Sequence, residues 1–425
     1  MVASEPERKM DRTVGLRGAV LLGLGSILGT GVFVSLGLAV GVTGAWAVPA
    51  LCLAACLAGL NALSSAELAA NHPVSGGTYA YGYRYLNPDF GFGAGLAFLL
   101  AKSASAAAAA IGLAGYVLAG LGLDPALTNV MAAVTAMAVT ALVALGLRRA
   151  NPVNAVLVAV TLGVLILLAV MALVSPATSP YVAPATQFAP AGFLEATALL
   201  FVAFTGYGRI ATLGEEVRAP RRTIPRAIIL TLIVSTLLYL GILLGGLNVL
   251  GSARFAAATT STAAPLQAVA VQLAAPWLRL LVIVAAVTAM AGVLLNLILG
   301  LSRVVLAMGR EGDLPARLGL LDRTGQPLAA ALCVGVVITL IAAFGGLALV
   351  WSFSAFTVLL YYALTNLAAL RLSKADRLYP PIIPALGLLG CLGLSMWLQP
   401  VVIIGGLAIL GVALASRRLI RGWMA

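Results

Sequence analysis

Residues 23–33 read GLGSILGTGVF, a stretch apolar enough for a bilayer interior that nevertheless carries Gly23, Gly25, Gly29 and Gly31, with Ser26 and Thr30 among them. Glycine in a helix interior is about 1 kcal/mol worse than alanine. A helix built over this stretch therefore has a weak middle, and its surroundings must say what the weakness is for.

Those surroundings belong to a membrane protein. Of 425 residues, 62% are hydrophobic and only 9% charged, and the mean hydropathy is +1.09. A soluble domain carries about 25% charged residues. Apolar runs of about 20 residues recur from end to end, each long enough to cross a hydrocarbon core of roughly 30 Å. The first 17 residues, MVASEPERKMDRTVGLR, are polar and basic and read as a cytoplasmic tail rather than a cleaved leader. Twelve spans are expected, at 18–41, 46–69, 91–121, 126–147, 152–174, 191–213, 225–250, 276–309, 327–345, 348–369, 381–397 and 400–416, with a short tail at 417–425. No connector is long enough to be a soluble domain.

The positive charges orient these spans. With the N-terminus inside, the inner segments carry Arg8, Lys9, Arg12 and Arg17, then Arg84, Arg148 and Arg149. They continue with Arg218, Arg221, Arg222, Arg226, Arg310, Arg317, Arg323, Arg371, Lys374 and Arg377, and end on Arg417, Arg418 and Arg421. The outer loops hold Arg254, with Arg279 near the outer end of span eight. The positive-inside rule then puts both termini in the cytoplasm of a cell with a plasma (inner) membrane location. The net charge of +12 reflects that topology and contact with anionic lipid, not a nucleic-acid surface.

A second weak point sits at FTGYGR, residues 204–209, in the middle of span six. Five spans separate it from the first, and five is odd, so the second unit enters the membrane from the opposite side. This is the arithmetic of an inverted repeat, spans one to five (18–174) against six to ten (191–369), with 381–416 added. Spans three and eight occupy matching places and are the longest, as strongly tilted helices would be. The connectors ahead of them, 70–90 and 251–275, are both long.

Two matching interruptions explain the glycines. An unpaired amide or carbonyl in lipid costs several kcal/mol, so a broken helix persists only where it lines a protein cavity. Each break exposes backbone N–H groups and the positive end of a helix dipole, which suits a carboxylate. Gly29 and Gly31 permit unwinding and close approach; Ser26 and Thr30 add hydroxyls. The competing reading is close helix packing through small residues, for which Gly25 and Gly29 have the spacing.

Four motifs, in order over residues 20 to about 330, make the chain resemble the amino acid–polyamine–organocation (APC) permeases. They are GSILGTGVF in span one, ELAANHPVSGGTYAYGYRYLNP at the span 2–3 junction, FVAFTGYGRIATLGEEVRAPRRTIPRAI from span six, and SRVVLAMGREGDLP at the end of span eight. The resemblance implies an all-α membrane protein of 12 transmembrane helices with the LeuT-type 5+5 inverted repeat, helices 1 and 6 broken and two C-terminal helices added. It implies secondary transport of amino acids driven by protons or by exchange. It also implies that Ser26, Ile27, Gly29, Thr30 and Gly31 receive the substrate carboxylate, and that Phe204, Thr205 and Gly206 receive the amino group. Phe201 and Phe204 are the aromatic candidates for closing over the substrate, with ordinary packing as the alternative.

Charge inside the spans is sparse. Lys102 lies 11 residues into span three, roughly 16 Å along the helix and near mid-membrane, where a lysine costs about 2.5–3.5 kcal/mol. SASAAAAA (103–110) follows it, and no Asp or Glu stands mid-span to pair with it. Many prokaryotic APC relatives carry a proton-responsive lysine on span five, whereas span five here has no charge. Either Lys102 substitutes for that charge beside the first break, or it is satisfied by carbonyls in a static role. Arg209 follows the second break. It reads as a gate charge reaching Glu216, as a contact for an acidic substrate, or as a snorkelling side chain. Glu215 and Glu216 with Arg218, Arg221 and Arg222 read as inner-gate ion pairs.

His72 beside Pro73 is the only histidine, and Cys52, Cys56, Cys333 and Cys391 all fall in apolar spans. The cysteines read as small buried hydrophobes, and neither metal nor cofactor is expected. Span eight offers Thr288 and Ser302 with Asn296 between them, not the adjacent hydroxyl pair of sodium-coupled members of the wider fold. The leading reading is a carrier of small neutral L-amino acids working by alternating access, with amino acid, lipid and protons as partners and oligomeric state open. Its alternatives are a carrier of acidic amino acids using Lys102 and Arg209 and, more remotely, a channel or membrane sensor. Enzyme chemistry has no residue constellation to support it.

Overall fold

A computed structural model describes residues 14–72, 77–146, 151–176, 188–211, 217 and 219–424. Its helices are α1 (Leu16–Ile27), α2 (Leu36–Thr43), α3 (Ala47–Asn71), α4 (Gly77–Tyr85), α5 (Pro88–Leu121), α6 (Thr128–Ala144), α7 (Asn151–Val174) and α8 (Pro190–Phe204). They continue as α9 (Gly208–Ala211), α10 (Pro220–Thr262), α11 (Pro265–Gln272), α12 (Pro276–Arg310), α13 (Leu328–Phe344), α14 (Leu347–Leu370), α15 (Ile382–Ser395) and α16 (Pro400–Met424). Among the described residues, 9 helical stretches are long and apolar enough to cross a membrane, and Leu16–Ile27, Leu328–Phe344 and Ile382–Ser395 are shorter apolar helices. Among the described residues the fold is all-helical, with the apolar spans of an integral membrane protein.

Local chemistry sets the corners. The first span turns into the second at Gly44, whose φ of 62° costs a residue without Cβ nothing. Asn87 caps α5 by accepting a hydrogen bond from the Phe90 amide at 2.9 Å, with Pro88 in the first turn. The connectors at 70–90 and 251–275 hold helix: α4 in the first, and in the second the end of α10, beyond a kink at Gly251 (φ 71°), followed by α11. The reason is burial, since Tyr79 and Tyr81 of α4, Phe255 and Thr259 of α10, and Leu266 and Val269 of α11 all pack inward.

The long helix α5 runs through the middle. Every side chain from Ser103 to Ala110 is buried, and these small residues let α12 and α14 lie against it. Helix contacts come in exchangeable pairs. α1 meets α10 as α8 meets α3, α5 meets α14 as α12 meets α7, and α6 meets α13. α15 packs on α14 and α3, while α16 is buried over only 17% of its apolar window.

Polar side chains inside the spans bond mostly to their own helices. Ser65, Thr140, Thr197 and Ser235 each donate to the carbonyl four residues back, at 2.7–2.9 Å, which meets the demand lipid makes on every buried polar group. The cysteine expectation is corrected in part. Cys391 is buried, with its thiol 3.3 Å from Asn61 Oδ1, whereas Cys52, Cys56 and Cys333 are exposed. Helix faces turned outward are apolar here, so a small apolar residue fits them as well as it fits the interior.

At one end of the bundle, Arg417 of α16 donates to Asp313 at 2.8 Å, to Asp89 of α5 at 2.8 Å and to the Tyr83 hydroxyl of α4 at 2.8 Å. Tyr79 and Tyr83 donate to the same Asp313 carboxylate at 2.9 and 2.5 Å. Nearby in the chain, Glu67 accepts the amides of Leu378 and Tyr379 at 2.5 and 3.1 Å.

Candidate functional site

The first interruption follows Ile27. Leu28 turns extended (φ −74°, ψ 95°), and the chain re-enters the helix through a wide π-helical turn at Gly31–Ser35. The Leu28 amide still reaches the Leu24 carbonyl at 2.7 Å, and the Gly29 carbonyl accepts from Val32 and Phe33 at 3.1 and 3.2 Å. Among the described residues the amides of Gly29 and Thr30 have no acceptor, and the Thr30 hydroxyl is buried without a hydrogen bond. An orphaned buried donor costs about 1–3 kcal/mol, and three polar groups at one spot amount to an unfilled demand for a ligand.

The second interruption is milder. α8 ends at Phe204, a 3-10 turn covers Thr205–Tyr207, and α9 resumes at Gly208. The two interruptions lie against each other. A methyl group on Gly206 would overlap the Ser26 carbonyl and come within 2.7 Å of the Ile27 nitrogen; one on Gly31 would come within 2.8 Å of the Ala203 Cβ. Here the glycines serve backbone-to-backbone approach.

Three side chains from other helices bond at or near the two interruptions, and one of them reaches both. The buried Tyr239 hydroxyl of α10 lies 3.0 Å from the Ile27 carbonyl and 3.2 Å from the Ala203 carbonyl. Lys102 of α5 donates to Thr205 Oγ1 at 2.9 Å, and that hydroxyl donates to the Val202 carbonyl at 2.8 Å. Trp351 of α14 donates to the Leu199 carbonyl at 3.0 Å. Around them Phe201 meets Tyr362 edge-on at 5.6 Å, and Phe204 tilts against Tyr239 at 5.3 Å.

The residues singled out from sequence fall as follows. Ile27, Gly29, Thr30 and Gly31 line the first interruption and Phe204, Thr205 and Gly206 the second. Ser26 is at the same place, but its hydroxyl bonds back to the Leu22 carbonyl at 3.0 Å, so its nearby carbonyl is the group that faces Gly206. Phe201 and Phe204 are fully buried in the packed core. Lys102 bonds to the second interruption, not the first. Arg209 is exposed on α9, and Glu216, with the Glu215 and Arg218 of the expected inner-gate pairs, lies outside the described residues. Thr288 and Ser302 bond to carbonyls of their own helix, and no group of three or more His, Cys, Asp or Glu that could hold a metal occurs among the described residues.

Sequence reasoning missed Tyr239, Tyr362 and Trp351. Their signal was present: a phenol or indole inside an apolar span needs a hydrogen-bond partner, and a broken helix supplies free carbonyls. A hollow of about 310 Å³ lies between Val40, Thr43, Gly44, Ala189, Ser252 and Ala256.

Comparison with known proteins agrees with this architecture. The family profile described as amino acid permease matches residues 18–418. An uncharacterised transporter of Mycobacterium tuberculosis (strain ATCC 25618 / H37Rv) is 40% identical over 410 residues, covering 96% of this chain and 91% of that protein. A branched-chain amino acid permease of Bacillus subtilis (strain 168) is 30% identical over 95% of this chain and 92% of its own length. A chloroplastic cationic amino acid transporter of Arabidopsis thaliana is 30% identical over 74% of this chain and 58% of its own. With a match over nearly its whole length and two facing helix breaks in a helical membrane bundle, the chain belongs to the amino acid permease family of the APC superfamily.

Proposed function

We propose that this protein is a secondary active transporter of small neutral L-amino acids, working by alternating access and coupled to protons or to exchange. The observation that carries the reading is the first interruption, where the Gly29 and Thr30 amides and the Thr30 hydroxyl lack partners and the second interruption lies in contact. A substrate carboxylate would fill those donors, and its amino group would find carbonyls of the second break. Buried donors without partners carry a desolvation penalty, and a ligand that fills them relieves it.

The exchangeable helix contacts support a LeuT-type 5+5 inverted repeat, with α1–α7 as one unit and α8–α14 as the other, broken first and sixth spans, and α15 and α16 added. The charge distribution supports both termini in the cytoplasm. Neutral substrates fit the alanine-rich wall of α5, and the branched-chain permease among the relatives fits the same size class. Acidic amino acids are the second reading, favoured by the Lys102 ammonium at Thr205.

The test is uptake into proteoliposomes of a panel of labelled amino acids, alanine, valine, leucine and glutamate, with a pH gradient imposed or withheld. Uptake of the neutral group carries the first reading. Uptake of glutamate alone carries the second, and uptake of none contradicts both.

A further inference from the structure

Lys102 is placed to set the charge that the site accepts. It stands at the head of the small-residue stretch of α5 and is partly open to solvent, as are Ser26 and Gly206. Its hydrogen bond goes to Thr205 Oγ1 in the second interruption, and that hydroxyl is itself anchored on the Val202 carbonyl. The ammonium is thus held at the second interruption by an uncharged hydroxyl, which leaves its charge uncompensated.

No carboxylate among the described residues compensates it. Asp89 and Asp313 are held by Arg417, and Glu67 is held by the backbone amides of Leu378 and Tyr379. Glu195 stands ten residues ahead of Thr205 on α8, about 15 Å along that helix. The others occupy turns at the helix ends. Among the described residues, the charged group bonded to the second interruption is therefore a cation with no carboxylate beside it.

We infer that Lys102 is a specificity-determining residue that excludes amino acids with a cationic side chain. The inference rests on the carrier reading above and deepens it. At an effective dielectric near 20, two unit positive charges about 6 Å apart weaken binding by about 100-fold. A neutral side chain of the same shape meets no such term, so selection is by charge and not by size.

Norvaline and 2,4-diaminobutyrate provide the comparison, because a methyl and an ammonium occupy the same place in them. Each is used to compete with labelled alanine uptake in proteoliposomes containing wild type, Lys102→Met or Lys102→Arg. The expected wild-type result is that diaminobutyrate competes about 100-fold more weakly than norvaline. Lys102→Met should bring the two within ten-fold, and Lys102→Arg should keep the gap. Equal competition in the wild type overturns the inference and leaves the carrier reading standing, as does an unchanged gap in Lys102→Met. If Lys102→Met takes up no alanine at all, the wild-type ratio together with the Lys102→Arg ratio decides: a gap in both supports the inference, and a gap missing from either overturns it. Absence of alanine uptake by the wild type overturns the carrier reading and this inference with it.

Discussion

The Tyr239 hydroxyl sits 3.0 Å from the Ile27 carbonyl, so a side chain from α10 closes the open end of α1. The same oxygen is 3.2 Å from Ala203 of α8. One phenol can donate a single proton, so the two carbonyls share or alternate for it. This makes Tyr239 the side chain most directly responsible for keeping the two interruptions side by side.

Tyr239→Phe keeps the ring packed against Phe204 and removes only the hydroxyl. A neutral hydrogen bond of this kind contributes about 0.5–1.5 kcal/mol. Maximal uptake should therefore fall by roughly two- to ten-fold, since about 1.4 kcal/mol is a factor of ten, while the protein still elutes as a folded species on gel filtration. Initial-rate kinetics against substrate concentration check this. Unaltered rates would show that the tie is dispensable.

Gly206→Ala would drive a methyl group into the Ser26 carbonyl. The two breaks must then separate, and transport should be lost by more than about ten-fold because a misplacement of the order of 1 Å is costly at a positioned site. Gly163→Ala is the control, since a Cβ there meets nothing within 4 Å. In the middle of α7 that change should leave uptake intact and raise stability by about 0.5–1 kcal/mol. Equal effects of the two substitutions would contradict the close approach.

Arg417 joins α16 to α4, α5 and the turn after α12 through Asp89, Asp313 and Tyr83. Asp313 is fully buried as a side chain. Removing one member of a buried pair leaves an uncompensated charge and costs about 3–5 kcal/mol. Arg417→Met should lower the melting temperature in detergent more than the double change Arg417→Met with Asp313→Asn. A double variant that melts below the single one would refute the pairing as the source of the loss.

Glu67 holds the amides that follow α14. Glu67→Gln retains one acceptor oxygen but loses the charge that strengthens both bonds. Hydrogen exchange of the Leu378 and Tyr379 amides should accelerate in that variant, with little change at Thr205. Unchanged protection at both amides would remove Glu67 from this role.

The bundle and both interruptions were legible in the sequence because lipid enforces them: apolar length marks a span, and glycine clusters at matching places in two spans mark the breaks. The α4 helix and the extension of α10 past Gly251 were not, since their stability comes from tertiary burial of Tyr81 and Phe255 and not from local pattern. The depth of Lys102 followed from counting along span three, but its partner Thr205 lies 103 residues away and only the packing of α5 on the second break brings them together. Tyr239 was hidden for a related reason: its surroundings, LLYLGI, look like any apolar helix, and its role rests on carbonyls that become free only once two distant helices break.

The most direct measurement is a structure of the purified protein with a transported neutral amino acid bound. The account predicts the carboxylate within hydrogen-bond distance of the Gly29 and Thr30 amides and the Thr30 hydroxyl, with the amino group against carbonyls of the α8–α9 break. An amino acid found outside the two interruptions, with those amides still unpaired, would contradict it.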